Sequence, residues 1–246
     1  MSLLAFRLIM AFRQQDELVF EAAGPELYER ARRSQSDQFR RPYPLYQGLK
    51  ALRRGDVEIA WRLFSEAEGY VQKSQDVIGK VLVGGLIALC LLHQGETEAA
   101  LVRARATMVL VESTRLSNEI VGEGLSAVTE VYLTLWEAGN AAERRQLARP
   151  LSRTLSTMRR CARIFPSSAP RALLWHGRYA WSQGAGWLAR QLGEASQRSA
   201  HRLGMPFDEA LAQKWLGHFA KTPPGAAAGL AGEIRGLLQL LVGGLR

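Results

Sequence analysis

From Arg144 through Gly193 the chain contains neither aspartate nor glutamate, so the arginines of that stretch have no acidic neighbour in sequence. Cysteine is nearly absent as well. Cys90 and Cys161 are the only two in 246 residues, both fall in apolar helix-like segments, and no CxxC spacing occurs. That excludes a thiolate zinc site, and with no signal-peptide pattern at the start it reads as two reduced, buried thiols in a cytoplasmic protein. Lysine is rare too: the formal net charge of +9 is carried almost entirely by arginine. A GC-rich codon bias produces the same composition, so net charge alone identifies no partner. No run alternates apolar and polar residues with β-branched enrichment, which leaves an essentially all-α chain.

The motifs of catalysis are missing in the same way. The string nearest to a phosphate loop, Ser74 to Val81 (SQDVIGKV), lacks the first glycine and the closing hydroxyl, and it sits in a helical segment. The four histidines, His93, His176, His201 and His218, show no HxxxH or HExxH spacing. No GxSxG elbow is present. These absences assign no catalytic residue, no cofactor and no metal, and predict a chain that is not an enzyme. The most apolar segment, Val77 to Leu92, is about 16 residues long with Lys80 inside it, short of the roughly 20 residues of a bilayer crossing. It reads as a core helix.

What the chain does have is repetition. In Tyr46 to Ala67, Gly48 is followed seven residues later by Gly55 and twelve later by Ala60, then by Phe64 and Ala67. Ala88, Gly95 and Ala100 repeat the offsets, and so do Gly177, Gly184 and Ala189. A small residue in one helix, a glycine turn and a small residue in the next is the tetratricopeptide hairpin pattern, in which two antiparallel helices cross closely. The usual Trp, Tyr and terminal Pro are absent: Pro44, Ala51 and Gln72 stand there. The expected fold is a tetratricopeptide-like right-handed superhelix of stacked antiparallel helical hairpins.

Three regions are expected: N-terminal helices and a linker over 1–40, the repeat domain over 41–220, and a Pro/Gly linker with a C-terminal capping helix over 221–246. Ser2 to about Ala22 reads as a terminal packing helix, Ser34 to Pro44 as a linker, and Ala226 to Val242 as the cap. Asp56 and Asn140 are placed to cap the helices that follow them. Pro150 is expected to kink or restart the helix from Ala141 to about Phe165.

That helix is the most polarised element. At about 100° per residue, Leu147, Leu151, Leu155, Met158, Ala162 and Phe165 share one side, while Arg145, Arg149, Arg153, Arg160 and Arg163 fall within roughly 80° on the other. The arginine face reads as a solvated surface or as a docking surface for an acidic helix or another domain. Nucleic acid is the weaker alternative, because nothing resembles a helix-turn-helix or an RNA-binding module.

Two strings, PRALLWHGRYAW (Pro170 to Trp181) and LGMPFDEALA (Leu203 to Ala212), together with EVYLTLWEAG (Glu130 to Gly139), resemble the C-terminal tetratricopeptide-like region of large bacterial signalling proteins. Those proteins carry a STAND-class, AAA-type ATPase module behind an adenylate/guanylate cyclase or a serine/threonine kinase domain. The resemblance covers roughly 43–219. It implies a non-catalytic protein-interaction or sensor domain, whose partner is another protein or other domains of a larger signalling protein. Any cyclase or kinase activity would lie on another polypeptide or on an N-terminal part outside this chain.

Overall fold

Three helix pairs turn back on themselves through the same hydrogen bonds. At Gly55, Gly95 and Gly184 φ is 84°, 90° and 82°, the left-handed region in which a β-carbon would crowd the neighbouring carbonyl and glycine has none. Each glycine N–H donates to the carbonyl three residues back and the next N–H to the carbonyl five back; the acceptors are Leu52 and Ala51, then Leu92 and Leu91, then Trp181 and Ala180. A fourth copy at Gly204, with φ 62°, uses His201 and Ala200. Pro206 follows there as the first residue of a helix, where a missing N–H costs nothing.

The computed structural model describes residues 42–113 and 119–221, with short helical pieces at 24–26, 28–30 and 32–33 ahead of them. The helices from residue 42 are α1 (Pro42–Arg54), α2 (Val57–Gln72), α3 (Val77–Gln94), α4 (Thr97–Ser113), α5 (Val121–Ala138), α6 (Ala141–Ile164), α7 (Ala169–Ser182), α8 (Gly186–Arg202) and α9 (Pro206–Lys221). The fold is all-helical, and no strand occurs among the described residues. The expected helices at Ser2 to Ala22 and Ala226 to Val242 lie outside those residues.

Each helix packs on the next, and α3, α5, α7 and α9 also touch in succession. The core therefore runs continuously along the chain. α3 is long and apolar enough to span a membrane by length and composition. Here its side chains are buried against α2, α4 and α5. Where α3 crosses α5 the backbones meet: a β-carbon on Gly124 would lie 2.6 Å from the Val81 carbonyl oxygen, and one on Gly85 would strike the Gly124 carbonyl. Gly48 lies under the Phe64 ring, and a β-carbon on Gly177 would stand 3.2 Å from the Ala189 carbonyl oxygen. Ala60, Phe64, Ala67, Ala88, Ala100 and Ala189 are fully enclosed.

Of four local expectations, the Asn140 cap holds and the other three change. Asp56 occupies the N-cap of α2 but its side chain makes no capping bond. Asn140 does cap α6, accepting from Ala142 and Glu143 N–H in a full capping box. Pro150 does not end that helix, which runs unbroken through 24 residues; it sacrifices one backbone bond while Leu147, Leu151, Leu155 and Met158 stay buried on both sides of it. The linker expected to reach Pro44 stops earlier, since Pro42 opens α1, and the rest of that linker lies outside the described residues.

Charged groups also enter the interior. Arg178 on α7 is sealed against Glu137 on α5, its Nη2 donating to Oε2 at 2.5 Å and its Nε to Oε1 at 3.3 Å. Arg171 donates to Asp208 at the start of α9. Burial by itself would lower the Arg171 pKa, but Asp208, with Glu123 and Glu130, outweighs it and raises the pKa. The guanidiniums of Arg53, from α1, and Arg171 both lie over the Phe207 ring, at 4.4 and 5.4 Å from its centroid. α1 and α9 thus meet at this ring.

Both cysteines are buried and unpaired. Burial pushes the Cys90 thiol up to about 12 and raises that of Cys161, which lies 3.5 Å from the Ser168 hydroxyl. Thiolate is the reactive form. Native protein is therefore expected to leave a thiol-reactive dye unconsumed at neutral pH, with both thiols appearing only on denaturation; one fast-reacting equivalent in the native state would contradict this burial.

Candidate functional site

The helices α6, α7 and α8 enclose a groove of about 680 Å³. α7 lies between the other two and forms the floor, with Ala172, Leu173, His176 and Ala180 along it. Leu188 and Leu192 of α8 make one wall, and Arg159, Ala162 and Arg163 of α6 make the other. Leu188 on its wall is 44% exposed.

His176 is the titratable group inside the groove. Its Nδ1 is 2.7 Å from the Ala172 carbonyl oxygen. A carbonyl cannot donate, so Nδ1 carries the proton and Nε2 keeps the lone pair in the neutral ring. Burial lowers the pKa of this histidine and the nearby Arg159 charge lowers it further, against the opposing pull of the Ala172 carbonyl. The ring is neutral at pH 7, and no carboxylate lines the groove with it. Nε2 is therefore an acceptor facing the groove; among the described residues no cluster of His, Cys, Asp and Glu could hold a metal.

The five arginines singled out in the sequence, Arg145, Arg149, Arg153, Arg160 and Arg163, are all exposed on α6. Only Arg163 reaches the groove, where it is joined by Arg159. Arg153 faces the opposite flank and meets Glu112 of α4 at 3.4 Å, so distance along the chain did not deprive it of an acid. Arg144 is occupied otherwise: its Nε and Nη2 donate, each at 3.0 Å, to the Trp136 and Glu137 carbonyls and close the end of α5.

Sequence reasoning missed Arg159, His176 as a groove residue, and the groove itself. The available signal was alanine: Ala162, Ala169, Ala172, Ala180 and Ala185 all line the hollow. Alanine reads as a good helix former, and only the packing shows where its small size leaves space. Gly48, Gly55, Ala60, Phe64, Ala67, Ala88, Gly95, Ala100, Gly177, Gly184 and Ala189 serve crossings and turns, and none of them lines the groove. Comparison of the chain with protein families, with curated proteins and with solved structures finds no match.

Proposed function

We propose that this chain is a tetratricopeptide-like right-handed superhelix acting as a non-catalytic protein-interaction and regulatory sensor domain, in a cytoplasmic bacterial signalling system of the cyclase- or kinase-associated ATPase type. The observation that carries this reading is the apolar groove on α7 with its arginine edge. The recurrent glycine turn and the succession of α3, α5, α7 and α9 support it, since stacked hairpins bury a continuous core and leave long surfaces open for partners. The strings quoted from α5, α7 and α9 supply the signalling context.

The test is Arg159→Glu combined with Arg163→Glu, the two arginines on the groove edge, in the tagged chain recovered from source cells. Wild type should retain a polypeptide bearing an ATPase, cyclase or kinase domain, and the double variant should recover about tenfold less of it. The melting temperature should move by no more than about 2 °C, because both side chains are exposed and surface substitutions usually stay within about 0.5 kcal/mol. Equal recovery, or recovery of no signalling polypeptide by wild type, would overturn the proposal. The exposed arginines also suit a basic nucleic-acid-binding module; that reading requires an oligonucleotide affinity that falls steeply with salt, and a flat dependence removes it.

A further inference from the structure

Five of the residues that line the groove are alanines: Ala162, Ala169, Ala172, Ala180 and Ala185. Three alanines of α7 face one of α6 and one of the turn into α8, so helices that pack at ordinary distances leave a hollow where larger residues would have met. The bulk has to come from the occupant. Along the α6 edge, Arg159 and Arg163 stand one turn apart, about 6 Å, with no acidic partner among the described residues. Nothing from Arg144 to Gly193 brings a negative charge to the site. The floor spans Ala169 to Gln183, a length of about 20 Å, and Leu188 on its α8 wall is 44% exposed. A small ligand would leave much of this uncovered.

We infer that the groove binds an acidic amphipathic helix of a protein partner. Its large apolar side chains enter the alanine-lined hollow, and two of its carboxylates, one helical turn apart, pair with Arg159 and Arg163. This inference rests on the interaction-domain reading and names the chemistry of the partner at this site. Helix-in-groove docking supplies affinity from the apolar face, while the flanking charges set orientation and reject basic helices. Neutral His176 adds an acceptor without adding an anion.

The probe is a stapled fluorescent peptide of about 16 residues, long enough to line the floor, with leucine on one face and glutamate pairs along its flank. A twin carries lysine for glutamate. The full chain should bind the acidic peptide and not its twin. Arg159→Glu with Arg163→Glu should weaken binding about tenfold or more. Arg145→Glu should change it by less than about twofold, because that position lies some 20 Å away along α6, well beyond the roughly 8 Å screening length. Ala162→Trp, which fills the hollow, should abolish binding; if its melting temperature falls, Leu188→Ser makes the same test from the α8 wall.

Equal binding of the lysine twin overturns the inference, as does an Arg145→Glu effect matching that of the groove arginines. Displacement of the peptide by single-stranded RNA, with loss of the RNA in the Arg159/Arg163 variant, overturns it in favour of phosphate recognition. A peptide that fails while the signalling polypeptide is still captured from cells removes the groove assignment alone. A peptide that binds while no signalling polypeptide is recovered supports the groove and removes the broader function.

Discussion

Arg178→Ala is expected to lower the melting temperature by about 10–15 °C. The side chain is only 1% exposed and Glu137 only 3%, so its removal leaves a carboxylate enclosed without its cation. Breaking a buried pair in this way costs about 3–5 kcal/mol, and each kcal/mol displaces the midpoint of a chain this long by roughly 2–4 °C. The guanidinium also lies between two rings, 5.2 Å from the Trp175 centroid and 4.4 Å from that of Trp215. Its loss would therefore loosen the joint among α5, α7 and α9 together. The decisive comparison is Arg178→Met with Glu137→Met. If the damage comes from the stranded charge, the double variant recovers most of the lost stability, because a well-packed apolar pair often equals a buried ion pair. Equal losses in the single and double variants would mean that packing by the arginine stem, and not its charge, holds the joint.

Gly85→Ala should be comparably damaging for a reason that has nothing to do with charge. The added methyl meets the Gly124 carbonyl, and the reciprocal change at Gly124 meets the Val81 carbonyl oxygen at 2.6 Å and Leu82 Cα at 2.7 Å. Backbone cannot step aside as a flexible side chain can, so α3 and α5 must separate. Overpacking costs about 1–3 kcal/mol where neighbours can adjust; here about 3 kcal/mol or more is expected. Gly69→Ala is the matched control. It lies in α2 with nothing within 4 Å of the added carbon, and should gain about 0.5–1 kcal/mol from helix propensity alone. Denaturant midpoints that move in opposite directions would confirm the crossing; two small gains would refute it.

The turn glycines were readable because their requirement is local. Gly55, Gly95 and Gly184 sit at equal offsets from small residues, and a left-handed turn has few alternatives to glycine. The arginine face of α6 was readable for a similar reason, since a helical projection needs no knowledge of neighbours. Arg159 escaped because it falls on the flank between the two faces, and which flank matters depends on where α8 lies. Arg178 escaped more completely. In a stretch without acids an arginine reads as solvated, and its partner Glu137 stands 41 residues earlier on another helix. Arg171 and Asp208 are separated by 37 residues. Long-range charge pairing leaves no periodic trace, and a hollow made by alanines leaves none either.

The seating of Arg53 on Phe207 gives the array a mechanical property. A row of helical hairpins that touch only their neighbours behaves as a spring, each joint yielding a little and the compliance adding along the row. A guanidinium on a ring adds about 0.5–1 kcal/mol at a partly exposed site, so the contact of α1 with the opening of α9 is a light clasp that small bending of the row can open, and Arg53→Ala removes it at little cost to the fold.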